Sequence, residues 1–92
     1  MKNNIQKRIP NRLRRYRRVR KLRQKDVAKI LRLKNTSMIS RWETGATLPN
    51  SPNVFRLAAI YRTTVDALWA EYIQGLRSDL TKTEESVLTT NQ

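Results

Sequence analysis

The chain has 92 residues, a length that indicates one domain, and its 38% of hydrophobic residues predict a small core. It contains no cysteine and no histidine, which excludes a disulfide scaffold, a cysteine–histidine zinc site and a histidine-based catalytic triad. The net charge is +13, and residues 1–34 hold 15 of the 20 basic residues with a single acid, so we expect a polyanionic partner.

The same composition gives no sign of membrane insertion, secretion or catalysis. No apolar run approaches the roughly 20 residues of a membrane span, and the basic N-terminus lacks the apolar core of a secretion signal. The seven acids are scattered and only two glycines are present, so we find neither paired catalytic carboxylates nor a glycine-rich phosphate loop. We therefore expect a cytoplasmic protein that is not an enzyme and that uses no cofactor or metal.

The N-terminal quarter of the chain carries most of the arginines. Residues 1–8 show no strong pattern and predict a flexible basic arm, whereas apolar residues at helical spacing predict a first helix over residues 10–20. Arg14 and Arg18 would face water or phosphate. Arg17 lies beside the apolar edge and is a candidate for a partly buried, paired charge.

A second helix is predicted from Gln24 to residue 31 or 33, and a polar turn over residues 32–35 follows it. Its buried side would consist of Val27, Ala28, Ile30 and Leu31. Gln24 lies at the positive end of this helix, where an amide side chain can hold a phosphate; an ordinary exposed polar residue is the alternative.

A third helix, predicted from Thr36 to residue 43 or 44, has two unlike faces. Asn35 is the expected N-cap, and Gly45 is the expected stop. Ile39 and Trp42 form an apolar edge, and the opposite side carries only small hydroxyls and one arginine, namely Thr36, Ser37, Ser40, Arg41 and Thr44. Such a face can lie in a groove and make many hydrogen bonds.

Two more helices are predicted before the chain becomes polar. Asn50 or Ser51 caps a fourth helix over residues 52–61, and Thr64 caps a fifth. The apolar faces of these helices would be Val54, Leu57, Ala58 and Tyr61, and then Val65, Leu68, Trp69 and Tyr72. Phe55 and Ile60 lie off these faces and are candidates for a contact with another molecule.

The sequence from Gly75 onward predicts a polar C-terminal tail over residues 74–92, which we expect to be disordered. A capping box at residues 81–84 is a sign of a last short helix instead. The predicted organisation is thus an arm over residues 1–8, a helical domain over residues 9–73 and this tail.

A basic surface combined with a polar-faced helix after a short turn is typical of a helix-turn-helix protein that binds DNA. In that arrangement the third helix enters the major groove, and lysines and arginines bind the phosphates. Arg41 is the best candidate for a bidentate contact with guanine; a phosphate contact or a solvated side chain is the alternative.

Residues 12–69 resemble the Cro/Xre, or phage-repressor, family of helix-turn-helix domains. The matching pieces are QKDVA at residues 24–28, ISRWETG at residues 39–45, Pro49, Leu57-Ala58 and VDAL at residues 65–68. The resemblance implies a lambda-repressor-like, all-α bundle of five helices. The sequence departs from the family in a turn that is one residue longer and has Arg32 in place of the usual glycine, so we expect the left-handed residue at Lys34 or Asn35.

The resemblance implies that Gln24 contacts phosphate, that Thr36, Ser37 and Arg41 meet bases, and that Arg17 pairs with Glu43; the helical faces and the basic charges add the other candidates. Bases would meet Thr36, Ser37, Ser40 and Arg41. Phosphates would meet Arg14, Arg18, Arg23, Gln24, Lys34, Asn35, Thr44 and Thr47. Arg17 and Glu43 would form a structural ion pair that anchors the reading helix.

The predicted function is a sequence-specific, double-stranded DNA-binding transcriptional regulator, most simply a repressor, that acts as a homodimer on a two-fold operator. One alternative is a DNA-binding antitoxin whose segment 74–92 contacts a toxin. Another is a basic protein associated with RNA or the ribosome, which would prefer structured RNA to duplex DNA.

Overall fold

The computed structural model describes residues 7–90, and within this range it contains six α-helices and no strand. The helices are α1 (Leu13–Val19), α2 (Gln24–Ile30), α3 (Ser37–Glu43), α4 (Ser51–Ile60), α5 (Val65–Leu68) and α6 (Ala70–Thr90). The predicted all-α fold is confirmed. The basic arm predicted over residues 1–8 falls mostly outside the described residues.

One hydrophobic core joins the first five helices. Its buried members are Leu13, Val27, Ala28, Ile39, Trp42, Leu57, Ala58, Tyr61, Leu68 and Trp69. The helical periodicity predicted most of them, because each helix is amphipathic. Ile30 is an exception: α2 ends at this residue, and its side chain is 53% exposed instead of buried.

Side-chain oxygens accept backbone N–H groups at the beginnings of α1, α4 and α5. The Asn50 and Thr64 side chains accept hydrogen bonds from the backbone of Asn53 and Ala67, as the sequence predicts. Helix α1 begins later than expected, at Leu13, whose N–H donates to Oδ1 of the Asn11 side chain at 3.1 Å, and Arg12 is the N-cap residue. Pro10 therefore precedes the helix and does not lie in its first turn.

Helices α1, α2 and α4 end in the same motif, with a basic residue in the left-handed conformation. The φ angles are +57° at Lys21, +60° at Arg32 and +56° at Arg62. After α2, the Leu33 N–H donates to the Ala28 carbonyl and the Arg32 N–H donates to the Lys29 carbonyl, as in a Schellman motif. The left-handed residue predicted at Lys34 or Asn35 is therefore wrong, since Arg32 keeps the conformation that glycine usually supplies.

The C-terminal quarter of the chain differs most from the prediction. The expected fifth helix is interrupted at Trp69, whose φ and ψ of −123° and 41° leave the helical region, so α5 and α6 are separate. Leu68 and Trp69, on the two sides of this junction, are both buried. Residues 74–90 form a helix and not the disordered segment that we expected.

Candidate nucleic-acid interface

Helix α3 is buried on one side and open on the other. Ile39 and Trp42 are 1% and 3% exposed, and they hold the helix on the core. On the other side Ser37 and Arg41 are exposed, while Ser40 is half-buried. Within the described residues, the Arg41 guanidinium makes no ion pair, so its donors are available to a ligand.

The C-terminal residue of α3, Glu43, binds three side chains from α1 and α2. Its Oε2 accepts from Arg17 Nε at 2.5 Å, and its Oε1 accepts from Arg17 Nη2 at 3.1 Å and Gln24 Nε2 at 3.0 Å. Arg14 Nε adds a longer contact to Oε1 at 3.4 Å. We call these four residues the Glu43 cluster; it connects α3 to both preceding helices.

Burial makes the Glu43 cluster electrostatically strong. The Glu43 side chain is 1% exposed and that of Arg17 is 10% exposed. Burial alone would raise the pKa of Glu43, but the hydrogen bonds from Arg17 and Gln24 together with the Arg17 charge outweigh it and hold this pKa below its ordinary value. Glu43 is thus a buried carboxylate that stays ionised at neutral pH. Burial is the main cause of the raised pKa of Tyr61, and the negative charge of Glu43 contributes to it.

A second set of contacts, through residues 9–11, fixes the end of α3. The Asn11 amide donates to the carbonyls of Trp42 and Glu43 at 3.1 and 3.3 Å, and the Ile9 N–H donates to the Gly45 carbonyl at 2.9 Å. A Cβ atom on Gly45 would lie 2.4 Å from the Ile9 carbonyl oxygen, so only glycine allows this approach. Sequence reasoning missed Asn11; its place directly before an apolar helical repeat is the available signal of a cap.

The predicted phosphate-contacting residues of α2 already have partners within the chain. Gln24 lies at the first position of α2, where one N–H of its amide binds Glu43; the NH₂ group carries a second proton for another acceptor. The Arg23 side chain contacts Asp26 at 3.3 Å, and hydrogen bonds from Arg23 lower the pKa of that carboxyl. Because Arg23 is exposed, this pair is a weak competitor for phosphate.

The remaining predicted residues lie in the turn before α3 and in the loop after it, and they differ in exposure. Lys34, Asn35 and Thr44 are exposed, whereas Thr36 is half-buried. Thr36 takes the N-cap position predicted for Asn35, and the Oδ1 atom of the Asn35 side chain accepts the Ser37 N–H at 2.9 Å. The Thr47 hydroxyl is buried without a partner among the described residues, so a phosphate contact would require it to rotate outward.

Arginines of α1 and the residues before it line a shallow groove that ends at α3. The groove is lined by Arg8, Asn11, Arg12, Arg14, Arg15, Arg18, Val19, Glu43 and Thr44. Arg14 and Arg18 were predicted to contact phosphate, and the structure places them beside Arg8 and Arg15. Arg12 is also paired with Glu71 of α6, although both side chains are partly exposed.

Other kinds of site have no support in the part of the chain that the structure describes. Between residues 7 and 90, no group of three or more acidic, histidine or cysteine side chains is arranged to hold a metal ion. In the same range, no helix is long and apolar enough to cross a membrane. The exposed face of α3 and the adjacent basic groove therefore remain the best-supported site.

Comparison with known proteins identifies the fold to which this surface belongs. No curated protein and no solved structure matches the chain. The family model described as "Helix-turn-helix domain" matches residues 11–71, a range that includes α1 to α5 and the start of α6. Helices α2 and α3, with the turn at residues 31–36, supply the helix-turn-helix itself. Domains of this kind bind DNA and typically have no enzymatic activity, and this chain belongs to the helix-turn-helix domain family.

Proposed function

We propose that the protein is a sequence-specific transcriptional regulator of the Cro/Xre type, and that it represses transcription by binding duplex DNA. The observation that carries the proposal is the division of α3 between a buried edge, at Ile39 and Trp42, and an exposed polar face. A helix held in this way can enter the major groove without losing its contacts with the core.

Base recognition is assigned to the exposed face of α3 and the residue before it. Arg41 is exposed and has the paired donors that match the acceptors of guanine in the major groove. Ser37 and Ser40 carry short hydroxyls that can donate or accept, and Thr36 adds a methyl group that can contact thymine. Together they form a compact set for reading a few base pairs.

Phosphate binding is assigned to residues around α3. Arg14 and Arg18 line the basic groove, and Gln24 lies with Arg14 at Glu43, the last residue of α3. Arg23, Lys34 and Asn35 are exposed before the helix, and Thr44 and Thr47 follow it. Cationic side chains around a reading helix provide the electrostatic part of the affinity and fix the orientation of the protein on the duplex.

In this proposal the protein is cytoplasmic, is associated with the nucleoid when bound, and acts as a homodimer. Two-fold pairing would place two α3 helices in successive major grooves about one helical turn, or roughly 34 Å, apart. The operator would then be a two-fold repeat of a short half-site.

The proposal is tested by selecting binding sites from random duplexes with the unchanged protein and with Arg41→Ala. We expect the unchanged protein to enrich one motif, and Arg41→Ala to lose preference at one position of each half-site. A lost bidentate contact costs about 1–3 kcal/mol of discrimination. Arg14→Ala should instead weaken binding to all sequences alike and reduce its salt dependence.

Lys82→Ala is the control. It removes one positive charge, as the two arginine variants do, from an exposed residue of α6. It should leave the motif unchanged. Enrichment of no duplex motif by the unchanged protein, or tighter binding to structured RNA than to any duplex, would contradict the proposal.

A further inference from the structure

Helix α6 carries an apolar stripe that the described residues leave uncovered. The helix runs from Ala70 to Thr90 and has no buried residue. Leu76, Leu80 and Val87 are 42%, 60% and 50% exposed. At about 1.5 Å per residue the helix is roughly 31 Å long, and the molecule extends over 53 Å in its longest direction. Exposed apolar residues that follow one side of a helix mark an interaction surface.

The spacing of this stripe is that of a helix paired with another helix. Ile73 packs against the chain's own core and begins the stripe. Counting in sevens from it, the first heptad positions continue with Leu80 and Val87, and the fourth positions hold Leu76, Thr83 and Thr90. This is the heptad arrangement in which two helices interlock side chains along a seam. Arg77 and Glu84 border the seam on one side, and Asp79 and Ser86 border it on the other.

We propose that the α6 stripe pairs with the same stripe of a second copy of the chain, in antiparallel orientation. If the two-fold axis passes between Leu80 and Thr83, then Leu80 meets the Thr83 of the second copy, and Leu76 meets its Val87. In the same register Arg77 of each copy lies opposite Glu84 of the other copy, so the two-fold symmetry gives two such ion pairs. The stripe is therefore complementary to itself in both shape and charge.

The charges select this orientation over a parallel one. Parallel helices bring the seventh position of one heptad beside the fifth position of the next heptad on the partner. That arrangement would place Asp79 beside Glu84 on both sides of the seam, and like charges would repel. A uniformly acidic or uniformly basic partner would be repelled by Glu84 or by Arg77, since one border of α6 carries both charges.

This pairing deepens the homodimeric part of the proposed function by naming the surface that forms the dimer. It does not depend on how α3 reads DNA. Dimerisation is therefore measured without DNA, and binding to a single half-site is measured separately. A failure of one measurement leaves the other interpretable.

The test uses analytical ultracentrifugation of the full chain at low ionic strength. The unchanged protein should be a concentration-dependent dimer. Arg77→Glu and Glu84→Arg should each weaken dimerisation about tenfold, because both symmetric ion pairs become repulsive. An equimolar mixture of the two variants should recover the dimer, since every Arg77–Glu84 border then joins opposite charges again.

Two further variants control for the fold and for the apolar part of the surface. Glu85→Arg, next to Glu84 but on the outer face of the helix, should leave dimerisation unchanged. Leu80→Asp should weaken it by at least roughly a hundredfold, because both copies lose an apolar contact. Circular dichroism checks that each variant keeps its helices.

Three results would overturn the proposal. The first is an unchanged protein that stays monomeric at its highest soluble concentration. The second is a stronger dimer in Glu84→Arg, which would indicate parallel helices. The third is a dimer that tolerates Leu80→Asp, which would place the interface elsewhere.

Discussion

Helices α3 and α6 are held in opposite ways. Helix α3 has seven residues, two of them buried, and its last residue is bound by the Glu43 cluster. Helix α6 has 21 residues and none of them is buried. A seven-residue helix is too short to persist alone, so its contacts determine both its existence and its orientation. The candidate reading helix thus takes its geometry from tertiary contacts, whereas α6 leaves an apolar stripe exposed.

Glu43→Ala should have the largest effect: it should unfold α3 and reduce the free energy of unfolding by about 3 kcal/mol. The substitution leaves the Arg17 guanidinium buried without its carboxylate. Urea denaturation measures the loss, and DNA binding should fall with it. Loss of binding with an unchanged melting temperature would contradict the anchoring role.

A pair of further variants separates the missing charge partner from the missing packing. Glu85→Ala removes an exposed glutamate from α6 and should change stability by less than about 0.5 kcal/mol. Arg17→Met in the Glu43→Ala background should recover part of the loss, because it replaces the unpaired charge by an apolar side chain of similar length.

The two glycines give a matched comparison of the two regions. Gly45→Ala should destabilise the fold by about 2 kcal/mol, because Gly45 has a φ of +80° and its new Cβ would meet the Ile9 carbonyl oxygen. Gly75→Ala in α6 should stabilise that helix by about 1 kcal/mol, since nothing lies within 4 Å of the new Cβ. Thermal melting followed by circular dichroism measures both. If both substitutions changed the melting temperature equally and in the same direction, the difference between the surroundings of Gly45 and Gly75 would be contradicted.

Acid should loosen α3 through the same carboxylate. The pKa of Glu43 is below its ordinary value of 4.5 in the folded chain, so near pH 4 the unfolded chain binds more protons. The stabilisation from Glu43 is therefore present above pH 4.5 and is lost as the pH falls through the folded pKa. Unfolding in urea at a series of pH values should show this loss, and Glu43→Gln should reduce it.

Glu71→Gln is the control for the acid experiment. The Glu71 pKa is also lowered, mainly by its hydrogen bond with Arg12, but both side chains are partly exposed and solvent screens them. Its effect on the pH dependence should be the smaller one. An equal or larger effect would show that exposed pairs determine the acid sensitivity.

The amphipathic pattern predicted more of the fold than of the contacts around the site. Ile39, Trp42 and Leu57 were assigned to the core by their spacing, and each is buried. The contacts of Asn11 and Ile9 with the end of α3 join residues more than 30 positions apart, and no local pattern encodes them. The helix-turn-helix pattern alone therefore predicts the surface but not how its far end is fixed.

Helix α6 was missed for a related reason. Its polar composition resembles that of a disordered segment, and the apolar residues of its stripe are spaced at intervals of three, four and seven. A composition average hides such a stripe, whereas a heptad count reveals it. The break at Trp69 was not predicted from periodicity, because the apolar residues Val65, Leu68, Trp69 and Tyr72 keep helical spacing across it.

The turn that leads into α3 offers the smallest and sharpest test. Arg32 has a φ of +60°, a conformation that costs a side-chain-bearing residue about 1 kcal/mol and costs glycine almost nothing. Arg32→Gly should therefore raise the free energy of unfolding by about 1 kcal/mol, as measured in urea. Arg32→Ala removes the same charge but keeps a Cβ, so it should give little gain. If both variants stabilise the fold equally, relief of charge repulsion in the basic half explains the gain, and backbone strain at the entry to α3 does not.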